Sequence, residues 1–466
     1  MQRITFVVLL MALSLPGTAY AGGMQLPANG ARAVGRGGAV AVNAGDLTAL
    51  HYNPGALGLL SGSHFLFNHN TIAFDNTFQR ATLQEGWGDQ GGHGFPLASE
   101  ETGLFAKGVF LALASDFGLD EWMFAMGAYG PPGIGSQSFE DYGPQAFMLS
   151  SVDATLAYYS LAMAWSPSPD FGLGVTLQYA DLIEMKYSLV IDATKAHGFQ
   201  PGLIQPIPNP DGLHLLTTLN MADHFGFSAI VGAFWRPDES IELGISGRVI
   251  PTSLEPTGSV SVDEPSLADD VHATQELTLP IQLRGGVRYV HRSNGRTLFD
   301  LELDLFWENW STLDAFDIDL SGRINGQTVT GVSLPRQWND VFSVRLGSDI
   351  HLMDGGPILR LGSFIENGAT PHAYSHLDFP SFDRLGTSVG LEHTFGAITL
   401  QVSYMHIFQE SRTVTEEEGK VFLQRPLANC PEACDGYSGV VANAGTFQSS
   451  FDTLSVGMSI QFSDWF

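Results

Sequence analysis

The sequence predicts an all-β protein: a transmembrane antiparallel β-barrel of about 14 strands with an N-terminal plug, or hatch, inside the lumen. Three observations indicate this fold class. Apolar and polar residues alternate in many segments, the connections between these segments are alternately short and long, and charged residues make up only 15% of the chain. A soluble protein of this size would have about one quarter charged residues. Glycine and phenylalanine are abundant instead, which suits a membrane barrel.

Residues 1–21 are expected to form a secretory signal peptide. Arg3 precedes an apolar run from Ile4 to Leu15, and Ala19-Tyr-Ala21 is a typical cleavage site. The run is too short to span a bilayer as a helix, and no later segment is both long and uninterrupted enough to do so. The sequence therefore predicts an exported chain divided into a hatch at 22–62 and a barrel at 63–466.

The expected hatch is a compact, irregular segment. The stretch from Gly30 to Leu57 has too much glycine for a stable helix, and it lacks the clean alternation of a strand. It carries Ala, Val or Leu at almost every other position, so a solvated linker is not expected either. Asn53-Pro54-Gly55 is predicted to form a tight turn, in which Pro54 fixes φ and Gly55 is able to adopt a positive φ, with an ordinary loop as the alternative.

Period-two alternation predicts the barrel strands. In the segment 299–307, for example, the apolar Leu301, Leu303 and Leu305 alternate with Asp300 and Glu302. An even number of such strands is typical of outer-membrane barrels. The predicted spans are 64–74, 104–115, 121–130, 152–165, 171–181, 224–235, 241–250, 281–290, 298–307, 341–350, 358–365, 385–394, 398–408 and 453–462.

Short and long connections alternate along the predicted strands. Short turns in the periplasm and long loops outside are typical of outer-membrane barrels and are not expected of a soluble β-sandwich. The final Ser-Asp-Trp-Phe466 resembles the signal read by the barrel-assembly machinery, a predicted partner, with an ordinary edge strand as the alternative. Predicted turns include 166–170, 236–240 and 396–397, and predicted loops include 75–103, 182–223, 251–280, 308–340 and 409–452.

Charge and cysteine content limit the partners. The chain has 21 basic against 49 acidic residues, which argues against nucleic acid. Cys430 and Cys434 lie in a polar loop of an exported chain, so a small disulfide is favoured over free thiols. A zinc site is disfavoured because no histidine cluster accompanies them, and we expect no metal or cofactor.

Several motifs resemble, in order along the chain, the outer-membrane hydrophobic-compound channels of the FadL/TodX type. Gly35-Arg-Gly-Gly-Ala39, Asp46 and Asn53-Pro54 are similar to the family's hatch, with Gly55 in place of the usual alanine. Met126–Gly133 is similar to its third strand and the following turn. Further similar motifs are Gly23-Met-Gln-Leu-Pro, Leu243–Arg248, Leu277–Pro280, Leu283–Val287, Trp307–Ser311, Leu359–Gly362 and Phe379–Arg384.

The resemblance implies a bacterial outer-membrane barrel whose hatch blocks the lumen. It implies passive lateral diffusion, in which a hydrophobic ligand enters from an outer groove and leaves into the outer-membrane lipid through a gap at a kinked third strand. On this basis the third-strand kink is assigned to Gly127, Gly130 and Pro131, with a strand that simply ends at a turn as the alternative. The hatch and gate residues are assigned as Gly35, Gly37, Gly38, Asp46, Asn53, Pro54 and Gly55.

Two sets of residues are candidates for contact with the ligand. The predicted loop 182–223 is unusually apolar, which favours a ligand groove over simple packing on the barrel mouth. Strand parity directs five arginines into the lumen, where one could hold a ligand carboxylate or all could anchor the plug through ion pairs. The groove candidates are Leu189, Ile191, Leu213, Leu215, Leu216, Leu219 and Met221, and the lumen candidates are Arg248, Arg284, Arg288, Arg345 and Arg360.

Two other functions remain alternatives at this stage. A porin for polar solutes is disfavoured by the plug and by the apolar loop. A barrel-embedded enzyme is disfavoured because the sequence contains neither a Gly-x-Ser-x-Gly nor a His-Glu-x-x-His motif. The sequence does not distinguish a fatty acid from an aromatic hydrocarbon or another lipid as the ligand.

Overall fold

Fourteen antiparallel strands form a closed barrel in the computed structural model, which describes residues 26, 28–101, 104–131, 136–193, 206–210, 214–426 and 437–462. Each strand pairs with its neighbours in the sequence, and the last strand pairs with the first. The barrel strands are β1 (Ser63–Arg80), β2 (Leu104–Ser115), β3 (Trp122–Tyr129), β4 (Ser151–Ser168), β5 (Phe171–Asp192), β6 (His214–Asp238), β7 (Ile241–Ile250), β8 (Gln282–Ser293), β9 (Arg296–Glu308), β10 (Val341–His351), β11 (Ile358–Glu366), β12 (Arg384–Phe395), β13 (Ile398–Gln409) and β14 (Gly445–Phe462).

The predicted fold class is confirmed, but the prediction of 182–223 as a loop is wrong at both of its ends, residues 182–192 and 214–223. Strand β5 continues to Asp192 and β6 begins at His214, and these two residues pair with each other. Both faces of β5 are buried from Tyr187 to Asp192. The alternation of apolar and polar residues is therefore lost in this segment, because the outward face of the strand no longer contacts lipid. The hydrogen-bonded ladder nevertheless continues. The barrel wall thus extends beyond its lipid-facing band.

The connections at one end of the barrel are tight turns, and those at the other end are long. The long connections carry short strands and 3-10 helices that cover the barrel mouth. The short strands are Leu97–Ser99, Ser136–Ser138, Thr252–Leu254, Thr257–Val262, Ala268–Gln275, Leu277–Leu279, Ala315–Ile324, Gln327–Thr328, Gly331–Pro335, Arg412–Val414, Phe422–Gln424 and Tyr437–Val441. The 3-10 helices there are Glu85–Gln90, Pro265–Leu267, Trp310–Thr312 and His372–Tyr374.

The two faces of the barrel wall differ in polarity. On β9, Leu301, Leu303 and Leu305 point outward and are exposed, whereas the carboxylates between them point inward and are buried. An outward apolar band of this kind is what a bilayer requires. No described helix is long and apolar enough to cross a membrane.

The described part of the hatch fills the lumen. It contains two short helices, α1 (Ala31–Gly35) and α2 (Ala49–Tyr52), followed by a 3-10 helix at Pro54–Leu59. The prediction for residues 53–55 needs correction, because Pro54 begins that 3-10 helix and Gly55 is not among the residues with positive φ. Glycine is needed at 55 for close approach, since a Cβ there would lie 2.8 Å from the Cα of Ala233.

Candidate gate and ligand cavities

A buried arginine anchors the hatch to one side of the barrel. The Arg36 guanidinium is fully buried and lies 2.9 Å from Asp300, 2.9 Å from Glu302 and 2.6 Å from Asp349. The Arg32 guanidinium lies 2.9 Å from the other oxygen of Asp349. Sequence reasoning did not assign either arginine a role. The sequence does place two cations in the glycine-rich hatch and more carboxylates than arginines on the inward strand faces, and this excess could have predicted the ion pairs.

The hatch backbone also binds these inward carboxylates. The Ala41 N–H donates to Asp304 at 2.8 Å, and the Val42 N–H donates to Glu302 at 2.9 Å. Carboxylates are strong acceptors for backbone N–H groups, so strand β9 holds the hatch through both charge and main chain.

Two of the five predicted lumen arginines belong to the same network. Arg288 donates to Glu242 at 2.6 Å and to Asp300 at 2.7 Å. Arg360 donates to Asp349 at 3.2 Å and also to Glu392. These two side chains are therefore occupied by carboxylates of the protein.

Two more of the predicted arginines have protein acceptors. Arg345 donates to Glu366 at 3.0 Å, and its guanidinium lies over the Phe306 ring. Arg284 donates to the carbonyl oxygens of His51, at 2.8 Å, and Tyr52, at 3.3 Å, and so supports helix α2 of the hatch. Arg248, the fifth, is buried and has no such acceptor among the described residues.

The strand ladder of the barrel wall is interrupted next to β3. Strand β3 ends at Tyr129, which pairs with both neighbouring strands. Beyond Tyr129, Gly130 and Pro131 belong to no strand, residues 132–135 lie outside the described residues, and pairing with β4 is described again at Ser136–Ser138. We call this place, where β3 ends and Gly130 and Pro131 follow between β2 and β4, the lateral gap.

The hatch touches the rim of the lateral gap through Asn29. The Asn29 side-chain amide donates to the Gly130 carbonyl at 3.0 Å, and its side-chain oxygen accepts from Asn70 at 3.0 Å. The Asn29 backbone N–H donates to the Tyr52 hydroxyl at 2.6 Å. These contacts are neutral, and they connect the end of β3 with β1 and helix α2.

Aromatic contacts continue along this rim. The Tyr129 ring stacks on Phe110, with 4.4 Å between centroids, and meets the His51 ring edge-on at 5.2 Å. Gly127 faces Leu50, because a Cβ there would lie 3.0 Å from the end of that side chain. Helix α2 therefore packs directly behind β3.

Asn53, Pro54 and Gly55, which the resemblance assigns to the gate, lie against β5 and β6 and not at the lateral gap. The Asn53 amide donates to the carbonyl oxygens of Ala41, at 2.8 Å, and Ala233, at 3.1 Å. The segment is therefore held against β6, while Asn29 and helix α2 contact the gap. The other glycines assigned to the hatch are explained by backbone conformation or close packing. Gly37 and Gly38 have φ values of 63° and 78°, and Gly35 packs closely against Gly390.

An apolar cavity of about 50 Å³ lies inside the wall directly behind the lateral gap. Its lining includes Ala154 and Leu156, which are inward-facing residues of β4 directly beyond Tyr158, the partner of the last β3 residue. We call this the inner cavity. Its full lining is Val152, Ala154, Leu156, Leu182, Met185, Tyr187, Leu219, Leu254, Gln275, Leu277, Leu279, Phe316, Ile318, Leu334 and Phe379.

A second apolar cavity, of about 40 Å³, lies toward the long-loop end and shares Tyr187, Leu219 and Ile318 with the first. We call it the outer cavity. Leu189 and Ile191, two of the predicted groove residues, line it. Its other lining residues are Thr217, Val260, Leu320, Ile324, Val332, Gln424 and Pro426.

Leu219, a third predicted groove residue, lines both cavities, whereas Leu215, Leu216 and Met221 line neither. Leu215 is buried opposite Ile191, and Met221 is buried against the short strand Thr257–Val262. The Leu216 N–H donates to the Tyr142 hydroxyl at 3.1 Å. Leu213, Cys430 and Cys434 lie outside the described residues. The expected exposed groove is thus a covered hairpin of β5 and β6.

A buried charge cluster fixes the loop that covers the inner cavity. Burial acts to raise the pKa of Asp378, but the Arg336 guanidinium and His376 outweigh it and hold that pKa well below its usual range. The Tyr187 hydroxyl donates to Asp378 at 3.1 Å. Because Phe379 and Tyr187 both line the inner cavity, this cluster positions part of its wall.

Comparison with known proteins places this arrangement among outer-membrane transport proteins. The family model described as outer membrane protein transport protein (OMPP1/FadL/TodX) matches residues 12–450. A Pseudomonas aeruginosa FadL homologue has a similar structure, with a TM-score of 0.70, 16% identity, and coverage of 95% of this chain and 100% of that one.

Two further solved structures are toluene transporters. TodX from P. putida gives a TM-score of 0.66 at 13% identity, with 94% and 100% of the two chains covered. TbuX from Ralstonia pickettii gives 0.65 at 12% identity, with 94% and 99% covered. At these identities the likeness concerns the fold. A search of curated proteins gives no significant match.

Proposed function

Because the chain belongs to the FadL/TodX family of outer-membrane transport proteins, we propose that it admits hydrophobic compounds and releases them sideways into the bilayer. The chain is an outer-membrane β-barrel. The family consists of transporters and channels, and we propose passive transport without chemical conversion, with no catalytic residue, metal or cofactor. The proposed cargo is consistent with relatives that are described as toluene transporters and a monoaromatic hydrocarbon channel.

The position of the inner cavity behind the lateral gap carries this proposal. Ala154 and Leu156 line the inner cavity and follow on β4 directly beyond Tyr158, the partner of the last β3 residue, so the inner cavity adjoins the lateral gap. For an apolar molecule the bilayer is a more favourable destination than the aqueous periplasm. The hatch supports this route, because it fills the lumen and is held by buried ion pairs.

A porin for polar solutes is the weaker candidate. Its solutes would have to pass the anchored hatch, and the inner and outer cavities are lined almost entirely by apolar side chains.

The proposal of hydrophobic transport also includes a signal peptide at 1–21, the hatch at 22–62, the barrel at 63–466, delivery by the barrel-assembly machinery and a Cys430–Cys434 disulfide.

Replacing Ala154 with Trp tests the route. The indole would fill the inner cavity at the lateral gap and exclude ligand methylene groups, each worth about 0.8 kcal/mol when buried. Excluding two such groups lowers affinity about tenfold, so uptake of a radiolabelled hydrophobic compound by cells that express Ala154→Trp should fall at least that much.

Leu161→Trp is the matched control, because Leu161 lies on the same strand but faces lipid. It should transport at the wild-type rate when surface levels are matched. Wild-type uptake by a folded Ala154→Trp protein would contradict the route through the inner cavity.

A further inference from the structure

A polar depression of about 520 Å³ lies on the outward face of the wall at the long-loop end. It is formed where β6 pairs with the strand Thr257–Val262, and where that strand pairs with Ala268–Gln275. A Cβ at Gly258 would collide with the carbonyl oxygen of Asn220, so glycine is needed there for the strands to approach each other. We call this depression the polar trough. Its lining is Asn220, Met221, Ala222, Thr257, Gly258, Ser259, His272, Ala273 and Thr274.

The hydroxyl groups of the polar trough are not bonded to each other. Thr257 and Thr274 stand directly opposite on neighbouring strands, yet no hydrogen bond joins their side chains in the described part of the chain. Elsewhere on the wall the opposed Thr413 and Thr446 share a hydroxyl–hydroxyl hydrogen bond of 2.9 Å. The trough therefore presents donors and acceptors that no described protein group uses. The side chains in question are Asn220, Thr257, Ser259 and Thr274.

The cationic side chains beside the polar trough already have carboxylate partners. Lys186, directly opposite Asn220, lies 2.7 Å from Glu184, and the His272 ring lies 3.1 Å from Asp270. The trough is thus not a basic patch, and an isolated phosphate would gain little there. Sugar hydroxyl groups suit it better, because each of them can both donate and accept a hydrogen bond.

The polar trough lies directly above the lipid-facing band. On β5 and β6 this band ends at Tyr179 and Phe225, two exposed rings whose centroids are 6.1 Å apart. Aromatic rings of this kind mark the membrane interface, and the long loops lie outside the cell. Ala222, in the trough, lies just beyond Phe225 toward those loops. The outer leaflet of an outer membrane is built largely of glycolipid, whose sugars stand directly above its acyl chains. The trough therefore lies at the level of these sugars.

We propose that the polar trough binds the saccharide head group of an outer-leaflet glycolipid, whose acyl chains lie against the exposed Phe225 below. This site is separate from the transport path, because the trough is on the outward face of the wall. Neighbouring strands are about 4.8 Å apart, so the row of four residues that crosses the trough spans about 14 Å, which suits a short oligosaccharide. The row consists of Lys186, Asn220, Ser259 and His272.

Titration of the purified protein in nonionic detergent with two fluorescent glycolipids tests the proposal. The probes are lipid A and the same lipid A with a phosphate-free core oligosaccharide, so they differ only in sugar content. The wild-type protein should bind the longer probe at least about tenfold more tightly, as two or more additional hydrogen bonds provide. Thr274→Trp should remove this preference, because the indole would cover the trough. Asn220→Ala, which adds no bulk, should lower it about threefold through the loss of one hydrogen bond.

Thr413→Trp is the matched control, since it places the same side chain at an exposed threonine on a different strand. It should keep the wild-type preference. Equal binding of the two probes by the wild type overturns the proposal, and so does a preference that both Thr274→Trp and Asn220→Ala retain in full. A preference lost to the same extent in Thr413→Trp assigns the binding to general contact with the wall and also overturns it. Uptake of hydrophobic compounds should be the same in all three variants, and hydrophobic transport does not depend on the result.

Discussion

The hatch meets the barrel wall in two different ways. Against β9 and β10 it is held by Arg36 and by backbone N–H groups that bind buried carboxylates. Against β1 and β3 the contacts are the neutral hydrogen bonds of Asn29 and the packing of Leu50 and His51. We call these the anchored side and the gate side.

The difference between these contacts predicts on which side the hatch separates from the wall at the lower free-energy cost. Removing one partner of a buried ion pair costs about 3–5 kcal/mol, whereas a neutral hydrogen bond contributes about 0.5–1.5 kcal/mol. Local opening therefore costs least on the gate side, where the lateral gap and the inner cavity lie. The hatch can remain anchored to one wall while it shifts at the other.

The largest expected effect is the loss of the anchor. Arg36→Met leaves Asp300, Glu302 and Asp349 without their shared cation, which should weaken hatch docking by about 3–5 kcal/mol. The barrel itself should still fold, because its strands carry the lipid-facing surface. Liposome swelling with small sugars should become faster than for the wild type.

Arg323→Met is the control for this substitution, since Arg323 is exposed on an outer strand. If Arg36→Met and the wild type have equal sugar permeability, the backbone contacts of Ala41 and Val42 suffice to hold the hatch. The ion pairs of Arg36 would then not be the anchor.

An intermediate effect is expected from Asn29→Ala. The substitution removes the hydrogen bonds to Gly130 and Asn70, and leaving buried partners unsatisfied costs about 1–3 kcal/mol. Amide hydrogen exchange at residues 126–130 should become faster, because opening on the gate side becomes easier, while sugar permeability stays low.

Asn53→Ala is the matched variant on another wall, since Asn53 binds the carbonyl oxygens of Ala41 and Ala233. It should leave amide hydrogen exchange at residues 126–130 unchanged. If both variants accelerate exchange there equally, the hatch moves as one body, and the distinction between the two sides fails.

The smallest effect is expected from adding one methyl group on the gate side. In Gly127→Ala the new Cβ would meet the flexible end of Leu50 at 3.0 Å and the Leu111 carbonyl oxygen at 3.1 Å, and small shifts relieve both contacts, so stability should fall by about 1 kcal/mol. In Gly362→Ala it would collide with the backbone of Arg36, and a larger loss is expected. Thermal unfolding measures the stability that each variant loses. If Gly362→Ala loses less stability than Gly127→Ala, the hatch is packed more tightly on the gate side than on the anchored side.

Sequence reasoning identified most of the barrel because the bilayer imposes a strict local rule. Lipid on one face and a polar lumen on the other force alternation, so strands such as β2 and β7 were predicted to the residue. The rule fails where the wall leaves the membrane, as in β5 from Tyr187 to Asp192. The same parity directed Arg248 and the other lumen arginines inward, because side chains on a strand alternate by geometry alone.

The pairing of those inward groups was decided by the tertiary structure. Arg36 meets Asp300 across 264 positions of sequence, and no local pattern specifies which arginine meets which carboxylate. The lateral gap and the inner cavity likewise depend on where one ladder stops and which loops close over it. The sequence by itself thus determined the barrel, the hatch and the direction of each strand side chain. Only the closed barrel decided which charges neutralise each other and left the Arg248 guanidinium without a hydrogen-bond partner among the described residues, because pair formation depends on distances that chain folding alone creates.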